Sequence, residues 1–247
     1  MKRLVTIAAV CLLGQSLVPA YADVVYATGF ESPSFVTGGI AGQDGWLSYN
    51  SPAASTIQNT VVASGAQAAR VDGSVGGQHG PYYSTTTTAT SLVLSADILL
   101  TSSAASSGWQ FAGLGAGLIG FAGGIDVFGT TIQAITAGFP VIGTLALDVW
   151  NHVDIFLDFD AQATSIALNG TTLASGLAFC GDNGPCAGAT VSSLRTVIFD
   201  SFGAQGAADA GYLDNFSIST VPEPSTLALV GLALLGGVGA SRRKSFR

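Results

Sequence analysis

Residues 152–159 read HVDIFLDF, so Val153, Ile155, Leu157 and Phe159 alternate with Asp154, Phe156 and Asp158. Side chains of an extended strand point to opposite faces with a period of two, so this spacing buries one face and puts Asp154 and Asp158 together on the other. The same grammar recurs along the chain. Residues 24–27, 59–63, 68–71, 91–100, 164–168, 171–174, 194–199 and 212–219 are short runs rich in Val, Ile, Thr and Phe, punctuated by Gly, Asn, Asp and Ser. Within 91–100, Leu92, Leu94 and Ala96 share a face. Asn169-Gly170 joins two runs as a hairpin with a type I′ turn, because both residues tolerate positive φ. The uncharged, Gly-rich residues 111–124 read as a buried strand pair among these neighbours rather than a membrane span. The strand count and domain length predict an all-β fold, an antiparallel β-sandwich of the jelly-roll kind.

The two ends follow other rules. Lys2 and Arg3, the apolar residues 4–13 and the small-x-small Ala20-Tyr21-Ala22 form a signal peptide over 1–22, cut by signal peptidase before Asp23. At the far end Pro222, Glu223 and Pro224 precede an apolar run over 227–240 and a basic cluster of Arg242, Arg243, Lys244 and Arg247. As a helix that run spans about 21 Å, against a hydrocarbon core of about 30 Å, which is short for a permanent anchor. Its glycines weaken it by about 1 kcal/mol each, and the basic tail stays cytoplasmic. The order of turn, helix and arginines resembles the PEP-CTERM sorting signal of exopolysaccharide-producing Gram-negative bacteria. That resemblance implies transient anchorage in the inner membrane, cleavage near residues 222–225 by an exosortase, and delivery to the envelope, cell surface or extracellular matrix. The expected plan is signal peptide 1–22, sandwich 23–219 and sorting signal 220–247.

Between the two signals lie all of the 15 acids except Glu223, but only two of the 8 Lys and Arg, namely Arg70 and Arg195. A nucleic-acid partner is excluded, since neutralising phosphates needs cations. Cys180 and Cys186 bracket a short polar loop, which in an oxidising compartment reads as a disulfide; two thiols with no nearby His are too few for zinc.

Gly29-Phe30-Glu31, the segment 150–159 running into the Asn169-Gly170 hairpin, and residues 212–218 (YLDNFSI) together resemble concanavalin A-like, laminin-G-like jelly rolls. The resemblance implies neighbouring first and last strands and a structural calcium taking Glu31 and Asp214 as ligands. Independently of the resemblance, rings able to stack on sugars fall in or beside the predicted loops: Trp46, Tyr49 and Trp109, with Tyr82 and Tyr83. Trp46 and Trp150 read equally as core plugs.

Catalytic patterns are sparse. Gly115, Gly117 and Gly120 fit a dinucleotide fingerprint by letter only, with no helix or acid to follow. Asp154 and Asp158 are the one local acid pair and read as outer-face carboxylates, while His79 and His152 have no nucleophile partner. The expectation is therefore a non-enzymatic surface or matrix sandwich, structural or associated with exopolysaccharide in biofilm. A calcium-dependent lectin-like module and a polysaccharide-acting enzyme are the alternatives.

Overall fold

The computed structural model describes residues 22–101, 108–115, 120–180, 190–203 and 209–221. Strands are labelled in chain order. The nine-stranded sheet runs β14 (Thr171–Ala178), β13 (Ala163–Leu168), β12 (Asn151–Asp158), β7 (Ser91–Leu100), β16 (Ala210–Thr220), β5 (Ala68–Asp72), β4 (Ser55–Gln58) and β2 (Gly38–Gly39), and β1 (Val24–Thr28) also pairs with β16. The seven-stranded sheet runs β11 (Val141–Thr144), β10 (Thr131–Ala134), β9 (Phe121–Phe128), β8 (Gly108–Leu114), β15 (Thr196–Phe202), β6 (Gly80–Ser84) and β3 (Trp46–Tyr49). Every pairing is antiparallel. Residues Val24–Val221 form a compact unit containing both sheets. The all-β sandwich is thus as the alternation predicts.

The strongest pattern in the sequence builds the centre of the larger sheet. Val153, Ile155 and Leu157 of β12 pair with Ala96, Leu94 and Leu92 of β7, and all six side chains are buried. The Asn169-Gly170 turn has φ of 49° and 76°, as a type I′ hairpin requires. Gly115 and Gly120 close the connection between β8 and β9, where Gly115 N donates to Gly120 O at 2.7 Å. Residues 59–63 depart from expectation: they are loop, and the strand lies just before them as β4. The Gln58 side chain explains the shift, since its Oε1 accepts from Thr60 N at 2.8 Å and Val61 N at 2.9 Å and turns the chain out of the sheet.

Aromatic rings fill one end of the space between the sheets. Phe30 has φ of 59°, an uncommon conformation for a bulky residue, and this turns its ring into the core beside Phe35 and Trp46, each at 5.2 Å. Trp46 meets Phe216 edge-on at 5.3 Å, and its Nε1 donates to Tyr26 Oη at 2.9 Å. Trp109 stacks on Phe199, and both rings crowd Gly211, where any Cβ would fall 2.6 Å from the indole. Trp150, a candidate core plug, is instead half-buried at the edge of a small cluster with Leu99 and Tyr212. Replacing Trp46 by Ala removes the ring that joins these groups. Urea unfolding of Trp46→Ala is expected to show a loss of about 3–5 kcal/mol.

Candidate functional site

The jelly-roll resemblance points first to Glu31 and Asp214, and the structure brings them together around Gly29, where a Cβ would lie 3.7 Å from Glu31 Cγ and 3.8 Å from Asp214 Oδ1. Both carboxylates grip one loop. Asp214 Oδ2 accepts from Ala63 N at 2.9 Å and Ser64 N at 3.1 Å, while Oδ1 accepts from Asn215 N at 2.7 Å. Glu31 Oε1 accepts from Ala66 N at 2.7 Å and Gln67 N at 3.2 Å. Between them Gly65, with φ of 67°, passes so close to the Glu31 carboxylate that no Cβ fits. Calcium needs several free oxygens at about 2.3–2.6 Å. Here peptide N–H groups occupy three of the four carboxylate oxygens, and among the described residues no three His, Cys, Asp or Glu side chains gather to hold a metal. The arrangement does not fit calcium; it is a loop clamp.

The clamp continues over the outer face of the larger sheet. Ser64 Oγ donates to Asn215 Oδ1 at 2.7 Å and Asn215 Nδ2 to Asp97 Oδ2 at 2.6 Å. His152 Nδ1 lies 2.7 Å from Asp97 and Nε2 3.3 Å from Asp154. Partial burial pulls the imidazole down, but the Asp97 hydrogen bond and the two acidic charges carry it above its ordinary value. Asp154 also accepts from Ser95, and Asp158 accepts from Ala161 N at 2.8 Å, so these two carboxylates serve separate local contacts. His79 is fully buried, its ring nitrogens 3.0 Å from Gly77 O and 2.7 Å from Asp72 O.

The proposed sugar-stacking rings need correction. Trp46 and Trp109 are each 1% exposed, both point into the sandwich, and neither can meet a glycan. Tyr49 is three residues from Trp46 on the same strand and therefore faces the opposite way, half-buried on the outer side of the seven-stranded sheet. Cys180 is buried and its N–H donates to Phe121 O at 3.0 Å; Cys186 lies outside the described residues, as do Pro222, Glu223, Pro224 and residues 1–21 of the expected signal peptide.

Tyr49 leads to a site that the sequence did not disclose. Register places Tyr49 opposite Gly80, Asp200 opposite Gln110, Gln110 opposite Asp126, and Asp126 opposite Gln133. Gly80 fills the gap between Tyr49 and Asp200: a Cβ there would lie 2.6 Å from Asp200 Cβ, and its absence lets the Tyr49 hydroxyl reach across to donate to Asp200 Oδ2. Gln78 Nε2 donates to the same oxygen at 2.7 Å, and Gln110 Nε2 donates to Asp126 Oδ1 at 2.8 Å. One polar row thus crosses six strands. Asp200 is fully buried, Gln110 is 6% exposed and Asp126 7%, and Asp200 Oδ1 and Gln110 Oε1 have no hydrogen-bond partner.

Rings stand on both sides of the row. Tyr82, opposite Ile198, meets Tyr49 edge-on at 6.2 Å; Phe202 meets Phe128 at 5.2 Å, in space left by Gly108, whose Cβ would run into the Phe202 ring. All four rings are half-buried. Burial pushes the Asp200 carboxyl up to about 7, helped by the charge of Asp126 and opposed by the Tyr49 and Gln78 hydrogen bonds. Burial likewise pushes Asp126 up to about 6 against the Gln110 bond.

Residues 220–244 match the PEP-CTERM protein-sorting motif, which marks an exosortase-sorted surface protein. No curated protein matches the chain. Among solved structures, a sialidase aligns over 82% of this chain and 19% of its own length, with a TM-score of 0.57 and 11% identity. A botulinum neurotoxin type C, whose cell entry depends on interaction with two ganglioside molecules, aligns over 83% and 49%, with a TM-score of 0.52 and 8% identity. The binding domain of a paraclostridial mosquitocidal protein aligns over 83% and 50%, with a TM-score of 0.50 and 11% identity. The chain spans half or less of each of these chains, and what it shares with them is the jelly-roll β-sandwich.

Two outcomes follow from this geometry. A chelator leaves the melting temperature unchanged, whereas Asp214→Asn, which weakens a buried acceptor of three peptide N–H bonds, lowers stability by about 1–3 kcal/mol; a chelator-induced drop would restore the calcium assignment. The second concerns pH. Asp126 and Asp200 have folded-state pKa values above the unfolded value of about 4, so their neutral forms stabilise the fold below that value and this contribution is lost as pH rises through about 6 to 7. Urea midpoints at pH 5 and pH 8 should differ accordingly, and Asp200→Asn should shrink the difference.

Proposed function

We propose that this is an exported protein, delivered to the bacterial surface or its polysaccharide matrix, that binds glycan on the outer face of its seven-stranded sheet. The sorting motif supports the destination. Signal peptidase and exosortase are its proposed processing partners in a Gram-negative envelope, with the apolar run over 227–240 holding it transiently in the inner membrane and exopolysaccharide as its surroundings afterwards. A Cys180–Cys186 disulfide belongs to the same proposal, fitting an oxidising compartment.

The observation that carries the binding reading is the set of half-buried rings on that face, standing over a buried polar row. Sugars present hydroxyl groups at their rims and apolar C–H faces above and below, so a recognising surface pairs fixed hydrogen-bonding groups with aromatic faces. Tyr82 and Tyr49 on one side of Asp200, and Phe128 and Phe202 on the other, have that layout. The acids are held in place: Tyr49 and Gln78 fix one oxygen of Asp200, and Gln110 fixes one of Asp126. Asp200, Gln110 and Asp126 are nearly or fully buried, so they support the face from beneath while the half-buried rings meet the glycan, and the proposed protein is not an enzyme.

An enzyme reading nevertheless has a specific observation in its favour. Asp126 and Asp200 are in register two strands apart, which sets their Cα atoms about 10 Å from each other, and a pair of carboxylates is the equipment of glycoside hydrolysis, which would need this buried pair to be reached by substrate. One experiment separates the readings. The full-length protein is titrated calorimetrically with oligosaccharides released from the producing cell's exopolysaccharide, and the mixture is then analysed for chain length. Saturable binding with intact chains, weakened about tenfold or more by Tyr82→Ala, is the expected result. Shortened chains, with shortening abolished by Asp126→Asn, would overturn it in favour of the hydrolase.

A further inference from the structure

We infer that the side of the sandwich where β14 and β11 lie open is a self-association surface, on which a second copy of this chain docks strand to strand about a two-fold axis perpendicular to the sheets.

Both sheets end at this side. β14 closes the nine-stranded sheet and β11 the seven-stranded one, and among the described residues no strand pairs with the outer edge of either. The two edges lie against each other: a Cβ on Gly143 of β11 would fall 3.1 Å from Leu173 Cδ1 on β14. An open edge is a row of amide and carbonyl groups ready to pair, so sheets guard it with shortness, charge, proline or a cover. The opposite side of the sandwich is guarded. There β2 has two residues, Gln43 Nε2 donates to Gly39 O at 2.6 Å and to Val36 O at 3.0 Å, and Asp44 follows at once. β14 has eight residues, TTLASGLA, with no charge and no proline, and Thr171, Thr172, Ser175 and Ala178 are exposed. Among the described residues no side chain bonds to the backbone of Thr171–Ser175. Register shifts against β13 bend the strand and Gly176, at φ of 66°, breaks it, so the pairing segment is the short Thr171–Ser175 and the association is weak.

Two observations name the occupant. Because the two edges lie side by side, an occupant that satisfies both must itself present two layered edges, and a single peptide strand would extend one sheet while leaving the other open. A second copy turned about the two-fold continues both sheets at once, the self-complementary contact of a symmetric dimer. Charge gives the same answer. Between the two signals stand all of the 15 acids except Glu223, against Arg70 and Arg195 alone, so two copies repel wherever acids meet. Residues 127–147 and 161–180, which contain β10, β11, β13 and β14, hold no Asp, Glu, Lys, Arg or His. Two copies approach here without bringing acids together, whereas a basic partner finds nothing to pair with. The same axis turns both ring-lined faces to one side, which on the glycan reading makes the dimer bivalent.

The test is sedimentation velocity of the full-length protein over a roughly hundredfold dilution series in the micromolar range. A monomer–dimer equilibrium is expected, weakened at least about tenfold by Thr172→Lys and by Ser175→Lys, each of which sets like charges side by side near the axis. Both positions are exposed, so neither substitution disturbs the core. Each also lowers the acid excess and would favour association through any other surface, which makes loss of the dimer specific to this contact. Val36→Lys, on the guarded side and 61% exposed, should leave the dimer in place, and added salt should tighten it by screening the acids. A monomer at every concentration, a dimer that the β14 lysines leave intact, one that Val36→Lys dissolves equally, or one that salt dissolves overturns the inference.

Discussion

One edge of β16 has two claimants. Its first half, Ala210 to Leu213, pairs with β5, and its second half pairs with β1, while the opposite edge runs along β7 throughout. Where one partner gives way to the other, the ladder to β7 shifts register between Asp214 and Ser217, with Asn215 at φ of 48°. The side chains released by that bulge organise what surrounds it. Asp214 collects the peptide N–H groups of the loop entering β5, Asn215 reaches Asp97 on the outer face, and Phe216 turns inward to Trp46. Glu31 completes the hold from the chain's first corner. The opening and closing strands and the loop between them are thus joined by carboxylate-to-peptide bonds, where the family resemblance led us to expect a metal.

The smaller sheet obeys a different constraint. Its central strands are buried on both faces: Phe111, Phe199 and Ile125 face the core while Ala112, Ile198 and Leu114 lie in a second apolar cluster outside. Placing Asp200, Gln110 and Asp126 in such surroundings is costly unless something compensates. Hydrogen bonds meet part of that cost, and the raised carboxyl pKa values express the remainder. Native folds that tolerate unmet polar atoms in a packed layer generally use them, which is why this row, rather than the solvated acids of β12, is the centre of the functional reading.

Legibility in the sequence followed range. Alternation over 152–159 and 91–100, and the Asn-Gly turn, are local signals, and each names its element within a residue or two. The row was hidden because its members stand at positions 110, 126 and 200 and become neighbours only through the order β9, β8, β15. The local sign that existed was a lone acid inside an otherwise uncharged strand run, as in residues 196–202 (TVIFDSF) and 121–128 (FAGGIDVF). Grouping Trp46 with Tyr49 as one platform failed for a simpler reason. Three residues along a strand is an odd number of steps, so the indole and the phenol emerge on opposite faces.

The last hydrogen bond of the larger sheet comes from Val221 N to Ser91 O, at 3.1 Å, immediately before the Pro-Glu-Pro residues. Tension applied there enters β16 along its own axis, between β7 on one flank and β1 and β5 on the other, so the amide-to-carbonyl bonds are loaded together in shear instead of being peeled open one after another. A tethered copy pulled by flow or by a growing matrix would transmit the force through the middle of the larger sheet, leaving the ring-lined face on the other sheet out of the load path.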